Sequence, residues 1–167
     1  MGFKTTLLLA TAALGGLLLT ACSDDAEALS KAEFVEQADT ICGEATTEID
    51  PLWEEFWTTF EDSEWGDPAV QESIFVGMAE VVVGFVPIME QQVEDLGELA
   101  PPEEDAEMLE SMLDDLGDAV VEFEEMIVAG AAGDEAARAQ IGSDEDPFAD
   151  VGSQAREYGL AVCGAEE

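Results

Sequence analysis

The chain has 167 residues, of which 41 are Asp or Glu and only 4 are Lys or Arg, for a formal net charge of −37 at neutral pH. A surface of that sign repels nucleic acid and anionic lipid. The absence of histidine removes Ser-His and Cys-His nucleophile pairs, the commonest general base and the HExxH zinc motifs, while a hydrophobic content of 47% argues for a folded domain rather than an acidic disordered chain.

At the N-terminus one basic residue, Lys4, precedes an apolar run from Leu7 to Leu19 broken only by Thr11 and glycines. These have the form of the n-region and h-region of a secretory signal, and the run is too short to span a bilayer, which takes roughly 20 residues. The run closes on Leu19-Thr20-Ala21-Cys22. That tetrapeptide resembles the lipobox of bacterial lipoproteins, and the resemblance implies that residues 1–21 are removed and Cys22 becomes an S-diacylglycerylated N-terminus. The alternative is an ordinary signal peptide cut near Ala21, leaving a soluble secreted chain. Two acyl chains suffice for stable anchoring, so the expected location is the extracytoplasmic face of the cell membrane. The mature chain would keep Lys31, Arg138 and Arg156 against 41 acids, a formal charge of 3 − 41 = −38. Acidic excess with almost no lysine fits a surface adapted to high salt, where a Debye length of roughly 3 Å at 1 M screens self-repulsion.

Residues 22–29 are acidic and without periodicity, and read as a lipidated tether; residues 30–167 read as one acidic helical-bundle domain. Ser30-Lys31-Ala32-Glu33 has the form of a capping box that opens a first helix. Its apolar positions Phe34, Ala38, Ile41, Ala45, Ile49, Leu52, Phe56 and Phe60 step by three and four. Pro51 is expected to kink or divide that helix, with Asp50 capping the second part. Asp67-Pro68 opens a second helix, apolar on most sides around Val81-Val82-Val83, that is expected to be central and to bend near Val83 because of Pro87. Pro101-Pro102 ends it and opens a third helix, with Glu103, Glu104 and Asp105 at its positive N-terminus and Leu109, Met112, Leu113, Leu116, Val120, Phe123 and Ile127 as its buried stripe. After a break at residues 130–133, Asp134 to Ile141 forms a short helix. Asp146-Pro147 then starts a last one that carries Phe148, Val151, Ala155, Tyr158 and Val162 toward the core and ends at Cys163. No period-2 segment appears, so the expected fold is all-α, an up-and-down bundle of four main helices.

With Cys22 assigned to lipid, Cys42 and Cys163 remain in a compartment where disulfides persist, and a bond is expected. Closing a loop of about 120 residues would stabilise the fold by roughly 4 to 5 kcal/mol; free buried thiols are the alternative. Two isolated cysteines make no zinc site, and neither a cofactor nor a metal is expected. Asp115, Asp118, Glu122 and Glu125 form a like-charged ladder on the third helix, which reads as a solvated face, with a divalent-cation site as the sharper alternative. Trp53, Trp57 and Trp65 concentrate aromatic surface near the end of the first helical segment, either as core or as a patch for a small ligand or partner.

Lys31-Ala32-Glu33-Phe34-Val35-Glu36-Gln37-Ala38-Asp39 with Ile41-Cys42, the turn Leu96-Gly97-Glu98-Leu99-Ala100-Pro101-Pro102, and the ending Tyr158-Gly159-Leu160-Ala161-Val162-Cys163 together resemble a family of small actinobacterial lipoproteins. The family has no assigned activity. The resemblance implies a Cys42–Cys163 bond and brings no catalytic residue. The expected function is non-enzymatic: a binding or envelope-interaction module held to the membrane through Cys22, with an unknown protein or small-molecule partner and no nucleic acid. The alternative is a carrier of a small apolar ligand or a divalent cation.

Overall fold

The computed structural model describes residues 27–64, 67–143 and 146–165; the expected signal peptide, Cys22 and Trp65 lie outside the described residues. The fold is all-α, with three long helices, α1 (Lys31–Phe60), α2 (Pro68–Gly97) and α3 (Ala106–Ala131), followed by the short α4 (Glu135–Ile141) and α5 (Ala149–Tyr158). Sequential helices pack as neighbours, α2 against both α1 and α3, while α4 and α5 dock on α3. Only α5 supplies a fourth helix to the main core, so the bundle is three long helices closed by short ones.

The capping box at Ser30 forms as its sequence dictates: the Ser30 backbone N–H donates to Glu33 Oε2 at 3.0 Å, and the Glu33 N–H donates back to Ser30 Oγ at 3.4 Å. These bonds favour the ionised Glu33 carboxylate and hold it below the usual range, the Ser30 hydroxyl contributing most and its backbone N–H next. Asp67 caps α2 through Ala69 N–H at 2.8 Å, and Asp134 caps α4 through the N–H groups of Ala136 and Ala137, both at 2.9 Å.

Both interior prolines sit inside unbroken helices, which corrects the expected division at Pro51: Asp50 lies within α1 and caps nothing. Pro51 and Pro87 are exposed. The carbonyls they leave without an i→i−4 donor, on Thr47 and Val83, belong to exposed residues, where water can take the missing partner's place.

Close approach of α1 and α2 depends on glycine. A Cβ at Gly84 would lie 3.1 Å from Leu52 Cδ1, and one at Gly77 would lie 3.1 Å from Phe56 Cε2. The seven-residue spacing of these glycines lets the aromatic end of α1 settle onto α2.

Glu103–Asp105 form the turn that leads into α3, with Asp105 at the N-cap position but making no side-chain cap. Its carboxylate is taken instead by the Tyr158 hydroxyl, which donates at 2.8 Å. The last helix stops at Tyr158, not Cys163, because Gly159 adopts a left-handed conformation (φ 112°) and the N–H of Leu160 turns back to Ala155 O at 2.9 Å. That reversal buries Leu160 and leaves Val162 exposed, so Leu160 replaces Val162 in the core.

The base of the bundle is built on Phe34, Ala38, Cys42, Leu96, Leu109, Met112, Val151, Ala155, Tyr158 and Leu160. Its far end is built on Phe56, Phe60 and Val81 on one side, and on Val82, Met126 and Ile127 with Ile141 of α4 on the other. Arg138 ties α4 down: its Nε donates to Gly130 O at 2.6 Å, its Nη2 pairs with Glu72 at 2.7 Å, and its guanidinium lies 4.6 Å from the Phe75 ring centre.

Candidate functional site

Cys42, buried on α1, and Cys163, in the turn after α5, form a disulfide with Cα atoms 5.1 Å apart and a separation of 121 in sequence. The turn is also held by a second device. Asp39, one turn before Cys42, accepts the N–H groups of Ala161 at 3.1 Å, Val162 at 2.8 Å and Cys163 at 3.3 Å. One carboxylate thus satisfies the backbone donors that the reversal at Gly159 exposes. Sequence reasoning missed Asp39; its three-residue spacing from Cys42 is the signal that was there to be used. Gln92 on α2 donates to Cys42 Sγ at 3.4 Å, so three elements converge on the bond.

Beside this staple, Tyr158 stands edge-on to Phe34 (ring centres 6.0 Å apart), and Lys31 Nζ lies 3.8 Å from the Tyr158 ring centre. Burial, first, then the bond to Asp105 and the negative charges of Asp105 and Glu104, push the phenol pKa well above its ordinary value. Tyr158 is therefore a neutral donor rather than an acid or base for chemistry.

Of the two readings of the aromatic cluster, core and patch, Trp53 sits with the core: it is half-buried between two core clusters and stands edge-on to Phe56 at 5.8 Å. Trp57 is 49% exposed and meets Phe56 edge-to-face with ring centres 4.7 Å apart. Trp65 falls outside the described residues.

The interior where a carrier would hold its ligand is occupied by rings. Phe85, Phe123 and Phe148 pack with centres 5.3, 6.2 and 5.7 Å apart. Val83, a position that a ligand cavity would have to use, is 77% exposed. The best-formed depressions among the described residues are shallow and open: one beside Arg156 and Leu160–Gly164, another along Glu33, Glu36, Gln37 and Thr40 next to Leu99.

Asp115, Asp118, Glu122 and Glu125 are exposed on α3, and Gln154 of α5 donates to Asp115 Oδ2 at 3.0 Å. Among the described residues no three carboxylates or thiols converge in a way that could hold a metal ion. One helix, α2, is long and apolar enough to cross a membrane (mean hydropathy 1.7), a test that the core helix of a soluble bundle also passes. No protein-family model, curated protein or solved structure matches this chain.

Proposed function

We propose that this chain is a lipid-anchored extracytoplasmic protein whose helical bundle acts as a non-enzymatic binding or envelope-interaction module. The observation that carries the module over the carrier is the triad Phe85, Phe123 and Phe148: the centre of the bundle is filled with its own side chains. A solid scaffold recognises through its surface. The anchor rests on Leu19-Thr20-Ala21-Cys22, and the Cys42–Cys163 bond supports an oxidising compartment. The tyrosine and acids at the base engage one another or the backbone, and the chain has no histidine, which supports a role without catalysis.

Growth with an alkyne fatty acid should label the wild-type protein and leave Cys22→Ala unlabelled, with a wild-type mature N-terminus at acylated Cys22. An unacylated mature N-terminus would refute the anchor. Native mass spectrometry of the protein taken from membranes should give the mass of the acylated chain alone; a stoichiometric small apolar molecule would favour the carrier.

A further inference from the structure

We infer that the bundle is tethered base-down and presents the Trp57 end of α1 away from the bilayer; this rests on the lipid anchor proposed for Cys22. The base is identified by its ties. Leu29 N–H donates to Ala100 O at 3.0 Å and the Leu29 side chain packs on the base cluster, so the chain emerges from the fold beside the α2–α3 turn. From Cys22 to Leu29 is seven residue steps, a reach of at most about 25 Å even when fully extended. The α1 helix runs 30 residues, a length of about 45 Å, and Trp57 stands near its far end. The tether therefore keeps the base near the membrane, and it is too short to invert the bundle.

A tether of that length would still let the bundle lie on its side, and charge decides against it. Every long helix carries acids along its exposed face: Glu44, Glu48 and Glu54 on α1, Glu80, Glu90 and Glu94 on α2, Asp118, Glu122 and Glu125 on α3. Laying any of these faces against anionic lipid brings a row of carboxylates within a Debye length of about 8 Å at physiological ionic strength. The base is acidic as well, with Glu33, Glu98, Glu103, Glu104 and Glu107 exposed, but end-on it offers lipid a smaller area than a 30-residue helix face, and the tether lets it stand off. Cations offset little of the repulsion on the side faces: Arg138 pairs with Glu72 of α2 and bonds Gly130 O, Arg156 bonds Gly164 O, and Lys31 lies over the Tyr158 ring. The aromatic end is thus the surface that the extracytoplasmic space meets first.

Trp53, Trp57 and Trp65 all lie toward the far end of α1 or just beyond it in sequence, so native tryptophan emission reports the height of that end. The acylated full-length protein is reconstituted in vesicles of anionic and zwitterionic phospholipid containing a dansyl-headgroup lipid, and tryptophan-sensitised dansyl emission is measured. Because energy transfer falls with the sixth power of distance, the native chain should transfer weakly, and Glu103→Trp, which adds one donor at the base, should raise the sensitised emission severalfold. Equal emission from the two proteins, with intact mass showing the diacylglyceryl group on Cys22, would overturn the orientation while leaving the anchor standing. A mass showing no lipid would overturn the anchor reading and the orientation with it.

Discussion

Opening the Cys42–Cys163 bond tests how the two ends of the domain hold together. The bond closes 121 residues, and in the chain-entropy treatment a loop of that length restricts the unfolded chain by about 16 cal/mol/K, or about 5 kcal/mol at 25 °C. That figure rivals the whole stability of a typical domain, which is roughly 5 to 15 kcal/mol. The bond is not the sole native tie there: Asp39 accepts three backbone N–H groups and Leu160 packs in the base cluster, contacts that reduction does not itself remove. Reduced protein should therefore keep its helices in salt and lose stability through the unfolded state. Guanidinium titrations of the domain from Glu27 onward, oxidised and fully reduced, should differ by about 3 to 5 kcal/mol, with a steeper denaturant dependence for the reduced chain because its unfolded state is more open. A difference under about 1 kcal/mol would refute the reasoning, since it would require the unfolded chain to keep its ends together without the bond.

Asp39→Ala removes the acceptor of three N–H groups and should cost roughly 1 to 3 kcal/mol by thermal denaturation, with faster amide exchange confined to residues 161–163. Gly164→Ala places a Cβ 2.8 Å from Arg156 N and 2.9 Å from Leu160 O, backbone atoms that cannot step aside, so its cost should reach about 3 kcal/mol. Gly130→Ala, whose Cβ meets the mobile tip of Ile141 at 2.7 Å, should cost less in the same melts. Val83→Glu should change stability by no more than about 0.5 kcal/mol, whereas Ile127→Ala should cost about 2 to 5; a large loss from Val83→Glu would mean that α2 faces the other way. Glu33, whose pKa is lowered on folding, contributes stability that is present above its unfolded value near 4.5 and is lost as pH falls through the lower folded value. The stability gap between wild type and Glu33→Gln should accordingly close as pH drops from about 5 toward 3, and a gap that stayed constant would rule out the capping box as its source.

What could be read in the sequence was whatever local chemistry decides. Ser30, Asp67 and Asp134 announce three helix starts because a cap acts within three residues of itself, and the steps of Phe34, Ala38, Ala45 and Ile49 place the core face of α1 by period, although Cys42 rather than Ile41 is the buried residue of its turn. The misreadings came from competition at longer range. Asp105 looked like a helix-dipole residue until Tyr158, 53 positions later, claimed its carboxylate. Val162 fitted the apolar spacing of the last helix, but Gly159 ends that helix, and the Asp39 carboxylate makes the reversed turn the better place for three donors. Pro51 announced a possible division that did not occur, since period cannot say that the freed carbonyl of Thr47 faces water. The aromatic cluster near the end of α1 was equally undecidable, because Trp53 and Trp57 flank the same stripe and only packing against Phe56 and the neighbouring clusters separates buried from exposed.

The three cations that follow Cys22 in the sequence show how so acidic a domain is held. None is spent on an i,i+4 pair along a long helix. Lys31 covers the Tyr158 ring where the base closes, Arg138 bonds Gly130 O and covers Phe75 where α4 docks, and Arg156 bonds Gly164 O where the chain ends. A cation bonded to a carbonyl or seated on a ring face loses less to salt than an exposed ion pair does, because its partner is not a screened surface charge. The long helices meet few cations, Lys31 at the start of α1 and Arg138 paired with Glu72 of α2, and are joined mainly by apolar packing and by the close approach at Gly77 and Gly84. Self-repulsion among the exposed acids is then relieved by dissolved ions rather than by side chains. Stability that rises with sodium chloride, and rises equally with magnesium at matched ionic strength, is what this division of labour requires, whereas saturation by micromolar calcium would place a built cation site on the Asp115 to Glu125 ladder.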